Sequence, residues 1–257
     1  MTMDKTQLGH VKTELAKGIA TIEFFHPSHN ALPTNLLTQL AGAIIGAGER
    51  DDVRLILLKS GGERTFCAGA SFDELVRIRD YEAGKSFFMG FANVINAMRT
   101  CPKIIVGRVQ GKAVGGGVGL ASSVDYCLAT KYASVKLSEL AIGIGPFVVG
   151  PAVQRKIGLS ATSQMTLNAT EWQTAAWAKQ KGMFTEVLDS TEQLDAYLAE
   201  FLPRLANSNP EALRELKRIF WQEADDWGGL LERRAEISGR LVLSEFTRAA
   251  LAKYQNA

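Results

Sequence analysis

Residues 111–120, with the sequence GKAVGGGVGL, join a strand-like segment to an apolar segment of helical pattern. A glycine-rich turn ahead of a helix exposes backbone N–H groups at the positive end of the helix dipole, so it suits an anion. A tight turn with close backbone packing accounts for the same glycines equally well. Val118 and Leu120 stand where a P-loop needs lysine and serine or threonine, and the mid-chain position disfavours a dinucleotide fingerprint. A charge that develops during a reaction, such as an oxyanion, is therefore favoured over a phosphate.

A second glycine-bearing turn, residues 65–72 (TFCAGASF), also follows a strand-like segment and leads toward a helix. Two strand–turn–helix junctions of this kind can converge on one atom, each supplying one backbone N–H. That geometry is an oxyanion hole, which stabilises negative charge on a reacting carbonyl oxygen. We therefore expect the two turns to form one shared site.

Hydrophobic periodicity predicts an α/β protein with a helical C-terminal section. Strand patterns occupy residues 18–25, 53–58, 103–109, 124–129, 133–137 and 183–188. Helical patterns occupy residues 33–49, 87–98 and 148–157 and most of the segments after Ser160. They continue from residue 191 to the end, with Asn209-Pro210 beginning a new helix. Because strands and helices alternate only in the first part, we expect residues 1–190 to form a core and residues 191–257 a helical section.

The composition disfavours several classes of protein. The chain has 257 residues, 46% hydrophobic and 22% charged, which excludes wholesale disorder. Its 29 basic and 27 acidic residues leave a net charge of +2, which disfavours binding to nucleic acid through bulk charge. Residues 1–17 contain nothing resembling a signal peptide, and no window is apolar and long enough to span a bilayer, so we expect no membrane association.

Cysteine and histidine usage disfavours a metal site. Cys67, Cys101 and Cys127 follow neither a disulfide framework nor metal-ligand spacing, which suggests a cytoplasmic location. Only three histidines are present, which weakens any mechanism with a histidine base. Cys67 lies inside the second turn, where core packing is expected rather than an active thiol.

Four segments, taken in order, resemble the crotonase superfamily, the enoyl-CoA hydratase/isomerase family. They are residues 26–32 (HPSHNAL), 66–72 (FCAGASF), 109–117 (VQGKAVGGG) and the stretch from Asp125 through Glu139 to Pro146. The resemblance spans roughly residues 10–190. It implies a crotonase-type spiral of ββα turns, with C-terminal helices that cover the chain's own or a neighbouring subunit's active site. It also implies a homotrimer or homohexamer, with residues 191–257 as the trimerisation section and Asp125 in a structural role.

The implied ligand is an acyl-CoA thioester, and no cofactor is expected beyond the coenzyme A that the substrate carries. The resemblance places the thioester carbonyl between the N–H groups of Ala70 and Gly116, with Ala68 among the residues that bind CoA. Lys253 matches a position that can lie near the nucleotide of a neighbouring subunit, although a solvated terminal lysine is an equal alternative. Asp73 stands where the family often has a CoA-binding lysine.

The acid/base residues depart from the family's hydratases. Typical hydratases use two glutamates; Gly119 stands at the first position and Glu139 at the second. The apolar neighbours Leu137, Leu140, Ala141 and Ile142 should raise the pKa of the Glu139 carboxyl into a range useful for proton transfer. One carboxylate suits the movement of one proton between C2 and C4, so isomerisation of an enoyl-CoA is slightly favoured. An enoyl-CoA hydratase (a lyase) and a CoA-ester-binding protein with little catalysis remain alternatives.

Two further patterns bear on the site. Residues 146–150 (PFVVG) replace a turn of small residues in the family, which either reshapes the acyl pocket or varies helix packing. The four tryptophans lie in segments of helical pattern and are expected in the core or at an interface. They are Trp172, Trp177, Trp221 and Trp227.

Overall fold

The computed structural model describes residues 9–255. Residues 1–8 and 256–257, at the ends of the predicted sections 1–190 and 191–257, lie outside the described residues. A six-stranded sheet has the order β1-β2-β4-β7-β9-β12, with β1 antiparallel to β2 and the other neighbours parallel. Its strands are β1 (His10–Ala16), β2 (Ile19–Phe25), β4 (Leu55–Ser60), β7 (Ile104–Val109), β9 (Tyr126–Thr130) and β12 (Glu186–Leu188).

A second sheet of four short strands has the order β11-β10-β8-β5, and two further strands, β3 and β6, pair in parallel. Their bounds are β3 (Ala31–Leu32), β5 (Thr65–Cys67), β6 (Gly69–Ala70), β8 (Lys112–Val114), β10 (Ser134–Lys136) and β11 (Gln173–Thr174). Successive turns of the chain thus place one strand in the large sheet and the next in a smaller one, before a helix leads back. This is the expected spiral of ββα turns.

Helices connect and cover the strands. The spiral contains α1 (Thr34–Glu49), α2 (Phe72–Leu75), α3 (Tyr81–Thr100), α4 (Gly116–Ser123), α5 (Gly150–Leu167) and α6 (Ala175–Gln180). After residue 190 the helices are α7 (Thr191–Ala206), α8 (Pro210–Phe220), α9 (Trp227–Leu241) and α10 (Glu245–Gln255). The α/β fold with a helical C-terminal section is confirmed, whereas the division at residue 190 into two sections stays a prediction.

Helix α9 crosses α3 with the two backbones almost in contact. A Cβ atom on Gly84 would lie 2.8 Å from the carbonyl oxygen of Gly239, so a side chain at this crossing would push the helices apart. The ammonium of Lys85 donates to Glu232 at 2.8 Å and to Glu236 at 2.9 Å across the same crossing. Helix α9 of the C-terminal section therefore packs on the spiral of its own chain.

A buried ion pair fastens α8 to the large sheet. The Lys217 ammonium lies 2.8 Å from an Asp125 carboxylate oxygen, and both side chains are at most 3% exposed. The Trp221 indole donates to the same carboxylate at 2.8 Å, and so does the backbone N–H of Ile105 on β7. The Arg155 guanidinium lies over the Trp221 ring. Asp125 therefore has the structural role that the resemblance implies.

The main omission of the sequence-based assignment is β1. Its sequence HVKTELA is largely exposed and pairs only with β2 at the edge of the large sheet, so it lacks the buried alternation that marked β2. The predicted strands and helices are otherwise present, although their ends shift by a few residues. For example, the helix predicted at residues 87–98 begins at Tyr81, with Asp80 as its N-cap.

We expect Asp125→Ala to lower the free energy of unfolding by about 3–5 kcal/mol, because it leaves the Lys217 ammonium buried without a partner. The measurement is chemical denaturation of the wild type and the variant. Glu215→Ala is the matched control, since it removes an ion pair with Arg218 in which both side chains are more than half exposed. It should cost at most about 1 kcal/mol. Equal losses in the two variants would contradict the structural role of Asp125.

Candidate active site

One cavity of about 290 Å³ brings the two glycine-bearing turns together. The turn at residues 65–72 contributes Ala68 and Ala70, and the turn at residues 111–120 contributes Gly115 and Gly116. Glu139 lines the same cavity. The structure thus gathers the predicted residues Glu139, Ala70, Gly116 and Ala68 at one place, from three separate parts of the chain.

Close backbone contact explains why the turns meet. A Cβ atom on Gly117 would overlap the carbonyl oxygen of Cys67, so only glycine lets the start of α4 approach β5 this closely. A Cβ atom on Gly69 would lie 3.5 Å from the amide nitrogen of Gly116. The glycines predicted as either an anion site or a packed turn therefore form a packed turn at the cavity wall.

Backbone N–H groups of both turns are oriented by the local structure. Ala70 lies at the end of β6, which pairs in parallel with β3, and the next residue, Ser71, donates its N–H to Leu32 on β3. Gly116 is the first residue of α4, where backbone N–H groups have no partner within the helix. The N–H groups of Ala70 and Gly116 are the two groups expected as oxyanion donors.

Glu139 lies directly over the start of α4. It begins a 3₁₀ turn, Glu139–Ile142, and a Cβ atom on Gly115 would lie only 2.9 Å from its Oε1 atom. Gly115 itself has φ of 51°, a left-handed conformation that side-chain-bearing residues rarely adopt. Glycine at this position therefore both permits the turn and makes room for the carboxylate.

The carboxyl group of Glu139 is desolvated. The residue as a whole is half-buried, but its Oε2 atom is enclosed and has no hydrogen-bond partner among the described residues. Burial raises the pKa of this carboxyl from its ordinary value to about 7. Near neutral pH the group can therefore either accept or donate a proton, as expected from its apolar neighbours.

The far wall of the cavity is apolar and partly comes from the C-terminal section. Phe147, Val148 and Val149 line it, so the bulky residues that replace a small-residue turn do face the cavity. Ser238 on α9 lines it as well, which shows that the C-terminal helices of this chain cover its own site. The remaining apolar lining comes from Leu75, Phe72, Phe87, Phe88, Phe91, Ile142 and Ile144.

A pocket that adjoins the cavity is basic. A second pocket, of about 380 Å³, shares Ala68 and Val114 with the cavity and is also lined by Arg64, Lys112 and Trp172. The ammonium groups of Lys112 and Lys136 lie 5.1 and 4.5 Å from the centroid of the Trp172 ring. We define Arg64, Lys112, Lys136 and Trp172 as the basic rim.

The basic rim corrects one expectation and was not found by sequence reasoning. Trp172 does not lie in a helix; it precedes β11 and is 39% exposed at the pocket. The two lysines are separated by 24 residues, and the strands β8 and β10 that carry them are adjacent only in the second sheet. The sequence signals this cluster only through the alternation along β8 and β10, which places Lys112 and Lys136 away from the buried side of these strands.

Three other predicted residues are located as follows. Lys253 is exposed on α10 and does not line the cavity. Cys67 is fully buried, and burial raises the pKa of its thiol to about 12, which confirms core packing rather than an active thiol. Gly119 is buried in α4 behind Val149.

No cluster of metal-ligating side chains occurs among the described residues.

The fold and the site define an α/β protein of the ββα-spiral class, with a carboxylate and two backbone turns around an apolar cavity. The family model "Enoyl-CoA hydratase/isomerase" matches residues 14–241, and the chain belongs to that family. Among residues 9–255, no helix has the length and hydropathy that crossing a membrane requires.

Named relatives and solved structures agree with this assignment. The chain is 29% identical over 225 residues to the mitochondrial methylglutaconyl-CoA hydratase of Mus musculus, covering 84% of this chain and 69% of that protein. It is 26% identical to the short-chain-enoyl-CoA hydratase of Clostridium acetobutylicum, over an alignment that covers 82% of this chain and 81% of that protein. The structure of an enoyl-CoA hydratase from Bacillus halodurans superposes with a TM-score of 0.88 at 21% identity. The superposition covers 95% of this chain and 99% of that one. At that identity the structural likeness shows the fold.

The raised pKa of Glu139 predicts a pH-dependent cost to stability. The folded state holds the proton more tightly than the unfolded state, so this carboxyl destabilises the fold progressively as the pH rises from about 4.5 to about 7. Glu139→Gln removes the ionisation and should raise the free energy of unfolding above pH 7 by up to about 3 kcal/mol. Denaturation of both proteins across this pH range measures it. A gain that does not shrink as the pH falls would contradict the desolvated carboxyl.

Proposed function

We propose that this chain is an acyl-CoA enzyme that interconverts 3-enoyl and 2-enoyl thioesters. The observation that carries the proposal is the lone carboxylate: among the described residues that line the cavity, Glu139 is the one with an ionisable side chain. Moving one proton along an acyl chain requires one group that accepts and then donates it. Adding water requires in addition a group that orients the water, and the described lining of the cavity offers no second carboxylate for that.

In the proposed reaction the thioester carbonyl oxygen lies between the N–H groups of Ala70 and Gly116. Glu139 takes a proton from C2 of the 3-enoyl thioester, and the electron pair of the broken C–H bond spreads over the double bond and the carbonyl oxygen. The two backbone N–H groups stabilise that oxygen, and losing one such donor costs about 3–4 kcal/mol of transition-state stabilisation. Glu139 then returns the proton to C4, so that the double bond lies between C2 and C3.

The basic rim supports coenzyme A as the carrier. The cavity lining contains no lysine, arginine or histidine among the described residues, whereas Arg64 and Lys112 line the adjoining pocket and Lys136 lies over the Trp172 ring beside it. Phosphates of CoA would meet these cations, and the ammonium groups of Lys112 and Lys136 lie beside the Trp172 ring. The acyl chain would then enter the apolar cavity, whose volume of about 290 Å³ suits a short acyl group.

A homotrimer or homohexamer in the cytoplasm is part of the proposal. Apolar side chains on α8, namely Leu216, Ile219 and Phe220, are 44–48% exposed, and a second copy of the chain could cover them. Lys253 lies away from the cavity of its own chain, so a contact with CoA would have to be made in a neighbouring copy.

Hydration is the second candidate. The relatives that match this chain include proteins named as methylglutaconyl-CoA hydratase and short-chain-enoyl-CoA hydratase. Those names favour addition of water at C3, with the same oxyanion hole and with Glu139 as the proton donor to C2. The apolar lining and the glycine at position 119 favour isomerisation instead.

We expect purified protein to convert 3-enoyl-CoA into 2-enoyl-CoA, and to do so with little 3-hydroxyacyl-CoA, because Glu139 acts alone. The rate at low substrate should rise with pH and level off above about 7, where the carboxylate is the base. Glu139→Gln should lower it about 10²–10⁴-fold. Chromatographic analysis of the products formed from 3-enoyl-CoA and from 2-enoyl-CoA measures the product ratio, the pH dependence of the rate and the effect of Glu139→Gln.

The control for this assay is Glu215→Gln, which changes an exposed carboxylate on α8. It should leave the rate unchanged. Rapid formation of 3-hydroxyacyl-CoA would establish hydration and overturn the isomerase assignment. Binding of enoyl-CoA without turnover would favour a CoA-ester-binding protein, and full activity of Glu139→Gln would overturn the role of the carboxylate.

We expect the double variant Lys112→Ala/Lys136→Ala to weaken binding of an acyl-CoA on the order of tenfold, through lost charge-assisted contacts with phosphate. Binding of an acyl-pantetheine thioester, which lacks the nucleotide, should not change. Isothermal titration of both ligands measures the difference. Lys131→Ala is the matched control, because Lys131 also lies over an aromatic ring, at 5.5 Å, but away from the pocket. Equal weakening of both ligands would contradict a contact with the nucleotide.

A further inference from the structure

Val149 lies between Gly119 and the cavity. A Cβ atom on Gly119 would lie 2.5 Å from Cγ1 and 2.9 Å from Cβ of Val149, and 3.6 Å from Cδ1 of Ile95. No side chain larger than hydrogen therefore fits at position 119 while Val149 keeps its place. Gly119 inside α4 and Val149 at the start of α5 are therefore in close contact. Of these two residues, only Val149 lines the cavity.

The wall that Val149 forms is apolar. Val149 and Val148 are at most 5% exposed, and with Phe147 they make a continuous apolar surface. A buried water molecule needs two to four polar partners. A water molecule beside Val149 would find no polar side chain among these three residues, because the hydroxyl groups of the described lining, those of Ser138 and Ser238, belong to other elements. Oε2 of Glu139 has no partner among the described residues.

The consequence for a proton on Glu139 is that its escape to solvent is slow. In the proposed isomerisation the C2–H bond breaks and the proton passes to the Glu139 carboxylate. The electron pair remains in the dienolate, and the C4–H bond then forms with the same proton. This balance needs no water. A water molecule held in the cavity could exchange with that proton, or could add its oxygen to C3 and a proton to C2.

We infer that Val149 is a specificity-determining residue, whose side chain fills the space over Gly119 and keeps the cavity dry, so that a proton removed from the acyl chain returns to it. The inference rests on the proposed function, since it assumes an acyl thioester in this cavity. It goes beyond the single carboxylate, because it assigns the exclusion of water to a residue that carries no acid or base.

The test is turnover of 3-enoyl-CoA in deuterated water. Wild-type protein should return most of the migrating hydrogen to C4, so the product carries little deuterium there. Val149→Thr keeps the size of the side chain and adds a hydroxyl group that can hold water; Val149→Ala leaves room for water. Both should raise the deuterium content at C4 several-fold and increase the fraction of 3-hydroxyacyl-CoA, as measured by mass spectrometry.

Val153→Ala is the matched control. Val153 is fully buried one turn further along α5 and does not line the cavity, so its truncation loosens the same helix without changing the cavity wall. It should leave deuterium content and product ratio as in the wild type. Unchanged values in both Val149 variants, or an equal rise in Val153→Ala, would overturn the inference.

A measurement without turnover separates this inference from the proposed function. Absence of isomerisation in the wild type would overturn the function and not the role of Val149. In that case the pKa of Glu139, followed by ¹³C NMR of the labelled carboxyl, tests the wall directly. Val149→Thr should bring that pKa down from about 7 toward its ordinary value by admitting water, and Val153→Ala should not. Equal pKa values in the wild type and Val149→Thr would overturn the inference.

Discussion

The site depends on one unfavourable interaction, the burial of the Glu139 carboxylate with its Oε2 atom unpartnered among the described residues. Burial outweighs a backbone hydrogen bond and raises the pKa to about 7, so near neutral pH the group can act as both base and acid. The arrangement requires Gly115, whose left-handed backbone leaves space for Oε1, and Gly117, which lets α4 approach the turn at residues 65–72. A hydrogen-bonded glutamate at this position would stabilise the fold more and would be a poorer base.

The rest of the fold offsets this cost and holds the cavity closed. The ββα spiral places both turns at the ends of strands in the smaller sheets, so the two backbone N–H groups are fixed by strand pairing and by the start of a helix. Several contacts fasten the C-terminal helices to the spiral. They include the Asp125–Lys217 pair with Trp221 and the crossing of Gly84 and Gly239. Because α9 is held in this way, Ser238 completes the cavity of its own chain.

Much of this could be predicted from the sequence, and the omissions have physical reasons. Buried alternating strands such as β2 carry a clear signal, whereas β1 is exposed at a sheet edge and carries none. Glu139, Ala70 and Gly116 were predicted because the resemblance locates them and the geometry of two similar turns permits convergence. The basic rim and the contact of Val149 with Gly119 join residues 24 or more apart, and only the folded chain makes them neighbours. Whether the C-terminal helices cover their own site was likewise left open by the sequence.

The central claim is that Glu139 and the two backbone N–H groups together stabilise an enolate of an acyl thioester. A 3-ketoacyl-CoA tests this most directly, because its enolate absorbs in the near ultraviolet and it cannot isomerise or be hydrated as an enoyl group can. We predict that wild-type protein binds this ligand as the enolate at a pH well below that of its ionisation in water, and that Glu139→Gln loses the absorbance. Binding of the ligand in its neutral keto form by the wild type, or an undiminished enolate signal in Glu139→Gln, would contradict the account.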